Sequence, residues 1–189
     1  MPARPKTTDA EIVEAARRLV ERDGREGFSM QDVAAAVGVR APSLYRRFKD
    51  RASIVHAVEL DAWAELTALL EEAVIANAPE ATLRAQAHVV RRFATRSPNS
   101  YSLLLDIRSP DTEEGALVRT TALAPMVPSF AALVGQERAI AAARVLIPFL
   151  HGFISMELAH AFRLADGVDV AFENGVAVIL RGLAQSMPD

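Results

Sequence analysis

Cysteine is absent from the 189 residues, so no disulfide framework, thiolate zinc site or cysteine nucleophile can be built, and nothing points to secretion. Aromatic residues are scarce at 6%, with one tryptophan. No stretch approaches the roughly 18 consecutive apolar residues of a membrane span. The opening MPARPKTTDAE, with two prolines and no apolar run, is neither a signal peptide nor an anchor. Also missing are the G-x-S-x-G elbow and the Gly-rich phosphate loop that organise nucleophilic or nucleotide chemistry. Strand-like alternation never persists beyond a few residues, and there are no internal repeats. What is present is 51% hydrophobic, rich in alanine and patterned at a period of 3.6 throughout. That is an all-α chain of about nine helices with an ample core, and the cytoplasm is its expected compartment.

The densest local signal is F28–R51, FSMQDVAAAVGVRAPSLYRRFKDR. Ser29 is a candidate N-cap with Asp32 in the first turn, and Val33, Ala34 and Val37 follow at helical spacing. Gly38 suits the positive φ of a helix end, Val39 is a candidate buried anchor, and Pro42 fits the first turn of the next helix. Leu44 and Phe48 share one face, which leaves Ser43, Tyr45, Arg46, Arg47 and Lys49 for solvent or a ligand. Two short helices around a glycine turn form a helix-turn-helix, which places its second helix in the major groove of DNA. Charge distribution supports this. The chain's net charge is −3, but residues 1–51 hold 11 Lys+Arg against 8 Asp+Glu, whereas residues 52–189 hold 10 against 16.

Over about the first sixty residues the chain resembles the tetracycline-repressor (TetR) family of bacterial regulators. The likeness lies in Gly27-Phe28-Ser29, the run from Ala34 to Val39, Ser43-Leu44-Tyr45 with Phe48, and Lys49-Asp50. Two positions depart from the family pattern: Pro42 stands where glycine is frequent, and Arg47 where histidine is frequent. The resemblance implies a helix-turn-helix DNA-binding domain over 1–51 and a ligand-binding and dimerisation domain over 52–189. It implies that Arg40, Ser43, Tyr45 and Arg46 face base edges and adjoining phosphates, and that Ser29, Gln31, Arg47 and Lys49 hold the DNA backbone. The partners so implied are a palindromic double-stranded operator, a second copy of the chain and a small, largely apolar effector that releases a repressor from DNA.

Helix signals continue along the chain. A capping box at Thr8 and Glu11 opens a first helix that runs to about Asp23, with Ile12, Ala16 and Leu19 inward. A long fourth helix is expected from Asp50 to about Asn77, burying Ile54, Val58, Trp63, Leu66, Leu70 and Val74. Pro79 and Pro98 bracket a fifth, and Pro98 to Ile107 reads as a short sixth. Residues 108–115 form a polar, acidic loop with Pro110. Beyond it, Pro125 and Pro128 should bend or split a helix near Met126, and two last helices follow, Gln136 to about Leu164 and Val168 to about Ser186.

On the last helix Phe172, Val176, Ile179 and Leu183 repeat at 4-3-4 spacing and mark either a core stripe or, as the resemblance implies, the dimer interface. Trp63, His88, Arg92, Tyr101, Met126, Phe130, His151 and Met156 fall on the helices that enclose the effector cavity in similar proteins, with Arg92 the one residue able to admit a carboxylate. The His151-Gly152 pair suggests a close helix approach or room beside a ligand, and LIPFLHGFISMELAHAF is similar to a C-terminal domain type of the family in which a tryptophan usually stands where Ile147 is. Two other classes are weighed. Glu157 and His160 have the Glu-x-x-His spacing of a di-iron bundle, but His56, His88 and His151 lack a glutamate three residues before them, so no metal, cofactor or catalytic residue is assigned. A helical adaptor that binds no DNA leaves the basic second helix of the motif unexplained.

Overall fold

The computed structural model describes residues 7–105, 124–163 and 167–185. Among them are nine α-helices, two short 3-10 turns and no strand. The acidic loop expected over 108–115 lies outside the described residues, as do Ile107, Leu164 and Ser186, the expected ends of three helices. The chain divides into two compact units. One holds the residues up to Ala64 together with the helix that follows Ser97, and the other holds Glu65 to Arg96 together with the elements from Ala124 onward. The first unit thus extends past residue 51.

In the first unit, α1 (Asp9–Asp23) begins at a complete capping box. The Thr8 N–H donates to Glu11 Oε2 at 2.7 Å, and the Glu11 N–H donates to Thr8 Oγ1 at 3.2 Å. The same device opens α2 (Met30–Ala36), where the Ser29 N–H donates to Asp32 Oδ2 at 2.8 Å and Asp32 donates back to Ser29 Oγ at 3.2 Å. Each box satisfies main-chain N–H groups that have no partner inside the helix and is worth about 1 kcal/mol. Gly38 takes φ +68°, which only glycine adopts without a Cβ penalty, and α3 (Ala41–Tyr45) then starts with Pro42 in its first turn. Leu44 is wholly buried against Ile12, Ala16, Val33, Ala34, Ile54 and Val58. Val39 and Phe48 lie half-buried at the edge of this core.

Helix α4 (Arg51–Glu72) is pinned at its start: Ser53 donates to Asp50 Oδ1 at 2.8 Å, and the Arg51 guanidinium donates to the Arg25 carbonyl and the Glu26 carboxylate and lies over the Phe28 ring. The short α6 (Pro98–Leu104) docks on α1 through Glu21, whose carboxylate accepts from the N–H groups of Asn99 at 3.2 Å and Ser100 at 2.6 Å. The Asn99 side chain returns a bond to the Glu21 carbonyl at 2.9 Å.

α4 ends one turn short of the expected Asn77. The Thr82 hydroxyl accepts from the Ile75 N–H and donates to its carbonyl, closing a turn, and Asn77 takes a left-handed φ of +56°. Val74, expected on the buried side, is consequently 53% exposed, while Ile54, Val58, Trp63, Leu66 and Leu70 are buried as expected.

The second unit is built on α5 (Pro79–Arg96). A 3-10 turn at Ala124–Met126 leads into α7 (Val127–Val134), so the two prolines split the segment at Met126 as expected. Gln86, wholly buried on α5, donates to the Leu70 carbonyl at 3.0 Å and the Pro125 carbonyl at 3.3 Å, and its Oε1 has no partner among the described residues. After a 3-10 turn at Gln136–Arg138, α8 (Ala139–Leu158) packs along α5, α7 and the last helix, α9 (Val168–Gln185). Gly175 explains how closely α8 and α9 approach, because a Cβ there would lie 2.4 Å from Phe149 Cζ. Helix α8 stops at Leu158, short of the expected Leu164: the chain reverses at His160 (φ +52°), and Phe162 folds back to within 4.8 Å of the Phe153 ring. Mid-helix Pro148 lies on the exposed side and cannot donate to the Arg144 carbonyl one turn back.

Candidate nucleic-acid interface

The residues expected to meet DNA group on and around α3. Tyr45, exposed to 52%, ends a helix whose opposite face is anchored by Leu44, and the exposed cations flank it, with Arg40 at its N-cap, Arg46 at its C-cap and Lys49 beyond. Ser43 is half-buried, and its hydroxyl accepts from Arg46 Nη2 at 3.3 Å. Gln31 is exposed on the first turn of α2, while the Ser29 hydroxyl is taken up by Asp32, whose carboxyl it holds below the ordinary carboxylate range. A groove of about 1020 Å³ runs beside α3, lined by Ile12, Val37, Gly38, Val39, Ser43 and Arg46 among others. A helix carrying an aromatic and several cations on a rigid base can enter a major groove about 12 Å wide and meet phosphates on its rims. Arg47, expected to hold the DNA backbone, is engaged within the unit. Its guanidinium turns back onto α1, donating to the Thr7 carbonyl at 2.5 Å and pairing with Asp9 at 3.1 Å.

The eight residues expected around an effector are dispersed. Trp63 and Tyr101 are buried in the first unit, where burial raises the Tyr101 phenol above its ordinary pKa. In the second, Met126 and Phe130 are wholly buried and His151 is half-buried, which lowers its pKa. Arg92 is exposed beside Leu69, Val89 and Phe93, and Met156 is exposed on the outer side of α8. His88 is engaged: its Nε2 is 2.6 Å from Glu173 Oε2 and its ring meets the edge of Phe172.

The 4-3-4 stripe on α9 divides between core and surface. Phe172 and Val176 are wholly buried inside this chain's own fold, Ile179 and Leu183 are half-buried, and the outward face carries Val170 and Val178, both 64% exposed. The outer side of α8 is likewise apolar and small, with Ile140, Val145, Pro148, Gly152 and Met156 exposed. A Cβ at Gly152 would meet nothing within 4 Å, so the close helix approach in this chain is at Gly175 instead. This outer face explains why Gln136–Leu158 is long and apolar enough to cross a membrane by length and composition with only 33% of its apolar window buried.

Sequence reasoning missed the charged seam of the second unit. Arg84, His88 and Arg91 follow i, i+4, i+7 on α5 and meet the acids of α8 and α9: Arg84 and His88 share Glu173, and Arg91 grips Glu157 in a bidentate pair at 2.8 and 2.5 Å. Arg91 also pairs with Asp169 at 2.7 Å and lies 4.8 Å over the Phe172 ring. The basic stripe on α5 was the available signal. With Glu157 held by Arg91 and His160 exposed past the helix end, the Glu-x-x-His pair makes no metal site, and no acid-histidine cluster suited to a metal occurs among the described residues.

A small helix-turn-helix unit whose second helix is flanked by exposed cations, joined to a larger helical unit, defines the class of DNA-binding transcriptional regulators with a separate helical domain. The sequence profile described as bacterial regulatory proteins, tetR family, matches residues 12–58, and that of the tetracyclin repressor-like C-terminal domain matches residues 83–179. The chain belongs to the TetR family of DNA-binding transcriptional regulators, whose members are not enzymes. It is 25% identical over 185 residues to the HTH-type transcriptional regulator Rv0681 of Mycobacterium tuberculosis, covering 96% of this chain and 84% of that one. It is 24% identical to YobS of Bacillus subtilis, covering 97% and 96%. A protein from Rhodococcus sp. RHA1 shares the fold with a TM-score of 0.84 at 23% identity over 98% of this chain and 100% of that one. A TetR variant from Acinetobacter baumannii AYE in complex with minocycline shares it at 0.70 and 19% identity, over 97% and 100%.

Proposed function

We propose that the protein is a cytoplasmic, homodimeric repressor that leaves a palindromic operator when a small, largely apolar effector binds. The observation that carries the DNA half of the reading is the exposed set of Tyr45 on α3 with Arg40, Arg46 and Lys49 flanking its two ends, around a helix fixed from behind by wholly buried Leu44. Arg40, Ser43, Tyr45 and Arg46 read base edges and flanking phosphates, while Ser29, Gln31 and Lys49 hold the backbone. Duplex DNA presents half-sites about 34–36 Å apart per helical turn, so two copies are needed to engage both. The apolar outer faces of α8 and α9, with Val145 and Met156 each 49% exposed and Val178 64%, support the second copy seating there.

The effector half rests on the second unit. Met126 and Phe130 form an apolar interior, and beside them Gln86 Oε1, unpartnered among the described residues, supports an effector that brings a hydrogen-bond donor with an apolar body. The fold relative from Acinetobacter baumannii in complex with minocycline supports small-molecule binding as the input. Release is a population shift, in which the effector favours the state whose two recognition helices no longer match the half-site spacing. The test has three arms. Selection from random duplexes should enrich a palindrome, light scattering should give the mass of two chains, and the palindrome-bound protein should release DNA on adding a compound that raises its melting temperature. A compound that binds tightly and leaves operator affinity unaltered would remove the inducible part of the reading.

A further inference from the structure

Arg47 occupies a place in the motif that suits a phosphate contact, yet its guanidinium already has two acceptors. One is the Thr7 carbonyl, at 2.5 Å, in the residue before the N-cap of α1, and the other is the Asp9 carboxylate, at 3.1 Å, in that helix's first turn. Both acceptors sit where α1 begins, and Arg47 follows the last turn of α3 by two residues. The side chain is 30% exposed, so most of it lies against protein. A phosphate approaching it would come up to the Asp9 carboxylate as well, and that repulsion opposes the attraction of the guanidinium. The planar fork of arginine suits two acceptors in different directions, whereas a lysine ammonium on a flexible stem is a point charge.

We infer that Arg47 is a positioning residue that locks the end of the recognition helix to the start of α1, with Asp9 as its obligate partner, rather than a contact to the DNA backbone. The angle at which α3 leaves the core is otherwise set by one wholly buried side chain, Leu44, with Val39 and Phe48 half-buried beside it. A second tether at the far end of so short a helix fixes its tilt, and tilt decides whether Tyr45 and Arg46 meet base edges. The inference rests on the DNA-binding reading above.

The experiment compares wild type, Arg47→Gln, Arg47→Lys, Asp9→Asn and the Arg47→Gln/Asp9→Asn double variant. Each is titrated across NaCl concentrations against the duplex that wild type enriches from a random pool and against the unselected pool, and each is melted thermally. A positioning role gives a loss of roughly fivefold on the enriched duplex for Arg47→Gln and for Asp9→Asn alike, the size expected of an exposed pair. The double variant is then no worse than either single, the unselected pool binds as to wild type, and the salt slope does not change. Arg47→Lys, which reaches one acceptor at a time, lies between wild type and Arg47→Gln. A phosphate contact gives the opposite pattern and overturns the inference: Arg47→Gln weakens both DNA pools alike and lowers the slope by ~1, Arg47→Lys behaves as wild type, and Asp9→Asn strengthens binding. A drop in melting temperature that accounts for the whole affinity loss also overturns it, in favour of a merely structural pair. If wild type enriches no sequence at all, the regulator reading fails and the inference with it, which is distinct from a changed slope in one variant.

Discussion

The cations around α3 in the first unit and those along the α5 seam of the second are handled in opposite ways. In the first, Arg40, Arg46 and Lys49 stand exposed around a core closed beneath them. In the second, Arg84, His88 and Arg91 turn toward the acids of α8 and α9, Arg91 to only 13% exposure, and it is the apolar side chains Ile140, Val145, Met156 and Val178 that face outward. A cation already matched by Glu157 or Glu173 has no attraction left over for a phosphate, while one surrounded by water releases counterions when it meets one. The count of basic residues therefore says less about a nucleic-acid surface than where their counter-charges lie. Arg47 sits among the cations of the α3 region yet is paired with Asp9, as Arg51 is with Glu26.

The contrast can be broken most forcefully at the seam itself. Phe172 is wholly buried between the His88 and Phe153 rings beneath the Arg91 guanidinium, and Phe172→Ala should cost about 3–5 kcal/mol of folding stability. Chemical denaturation measures it, and a cost below 1 kcal/mol would mean that α9 is not held by this residue. Leu44→Ala removes the anchor of the recognition helix and should cost about 2–5 kcal/mol in the transition that reports the first unit. Operator binding should be lost while light scattering still gives the mass of two chains; loss of the dimer as well would show that the two surfaces are not separable.

Val178→Asp probes the apolar outer face of the second unit. At 64% exposure it should change the folding stability of an isolated chain by no more than about 0.5 kcal/mol, yet it sets a charge on the apolar outer face and should yield monomers with an unaltered circular dichroism spectrum. A variant that stays dimeric would place the second copy elsewhere. The smallest effect is in acid. His88 and Arg84 hold the Glu173 carboxyl below the ordinary carboxylate range, so its contribution is fully present above that range and is lost as pH falls through the depressed folded value. Melting temperature should therefore hold steady near neutrality and decline below about pH 4. Glu173→Gln should decline less steeply than wild type in the same interval, and parallel curves would deny Glu173 its part in the seam.

What could be read in the sequence divides along the same line. The capping boxes at Thr8 and Ser29, the turn at Gly38 and the split at Met126 each depend on neighbours within a few residues, and each stands as expected. The second unit depends on distant pairs. Periodicity shows that α9 is apolar on more than one side but cannot say which side meets the chain's own core; Phe172 and Val176 prove to be buried within the chain, while Val170 and Val178 face outward. The end of α8 was set too late because the contact that turns the chain, Phe162 on Phe153, is not a helix-stop signal in sequence. Arg47 illustrates the same limit at the DNA surface: its place in the motif is visible, but its partners at Thr7 and Asp9 are 40 and 38 positions away.

Pro148 carries a genetic consequence. Because its ring has no N–H to give, the main-chain oxygen of Arg144 is left as an acceptor on an exposed turn of α8. That acceptor is encoded four codons downstream of the residue that bears it. Substitutions at position 144 change the side chain and leave the oxygen on offer, whereas replacing Pro148 with any other residue supplies the missing donor and withdraws it. The outer face of α8 thus holds one chemical group that mutation can remove only from a distance.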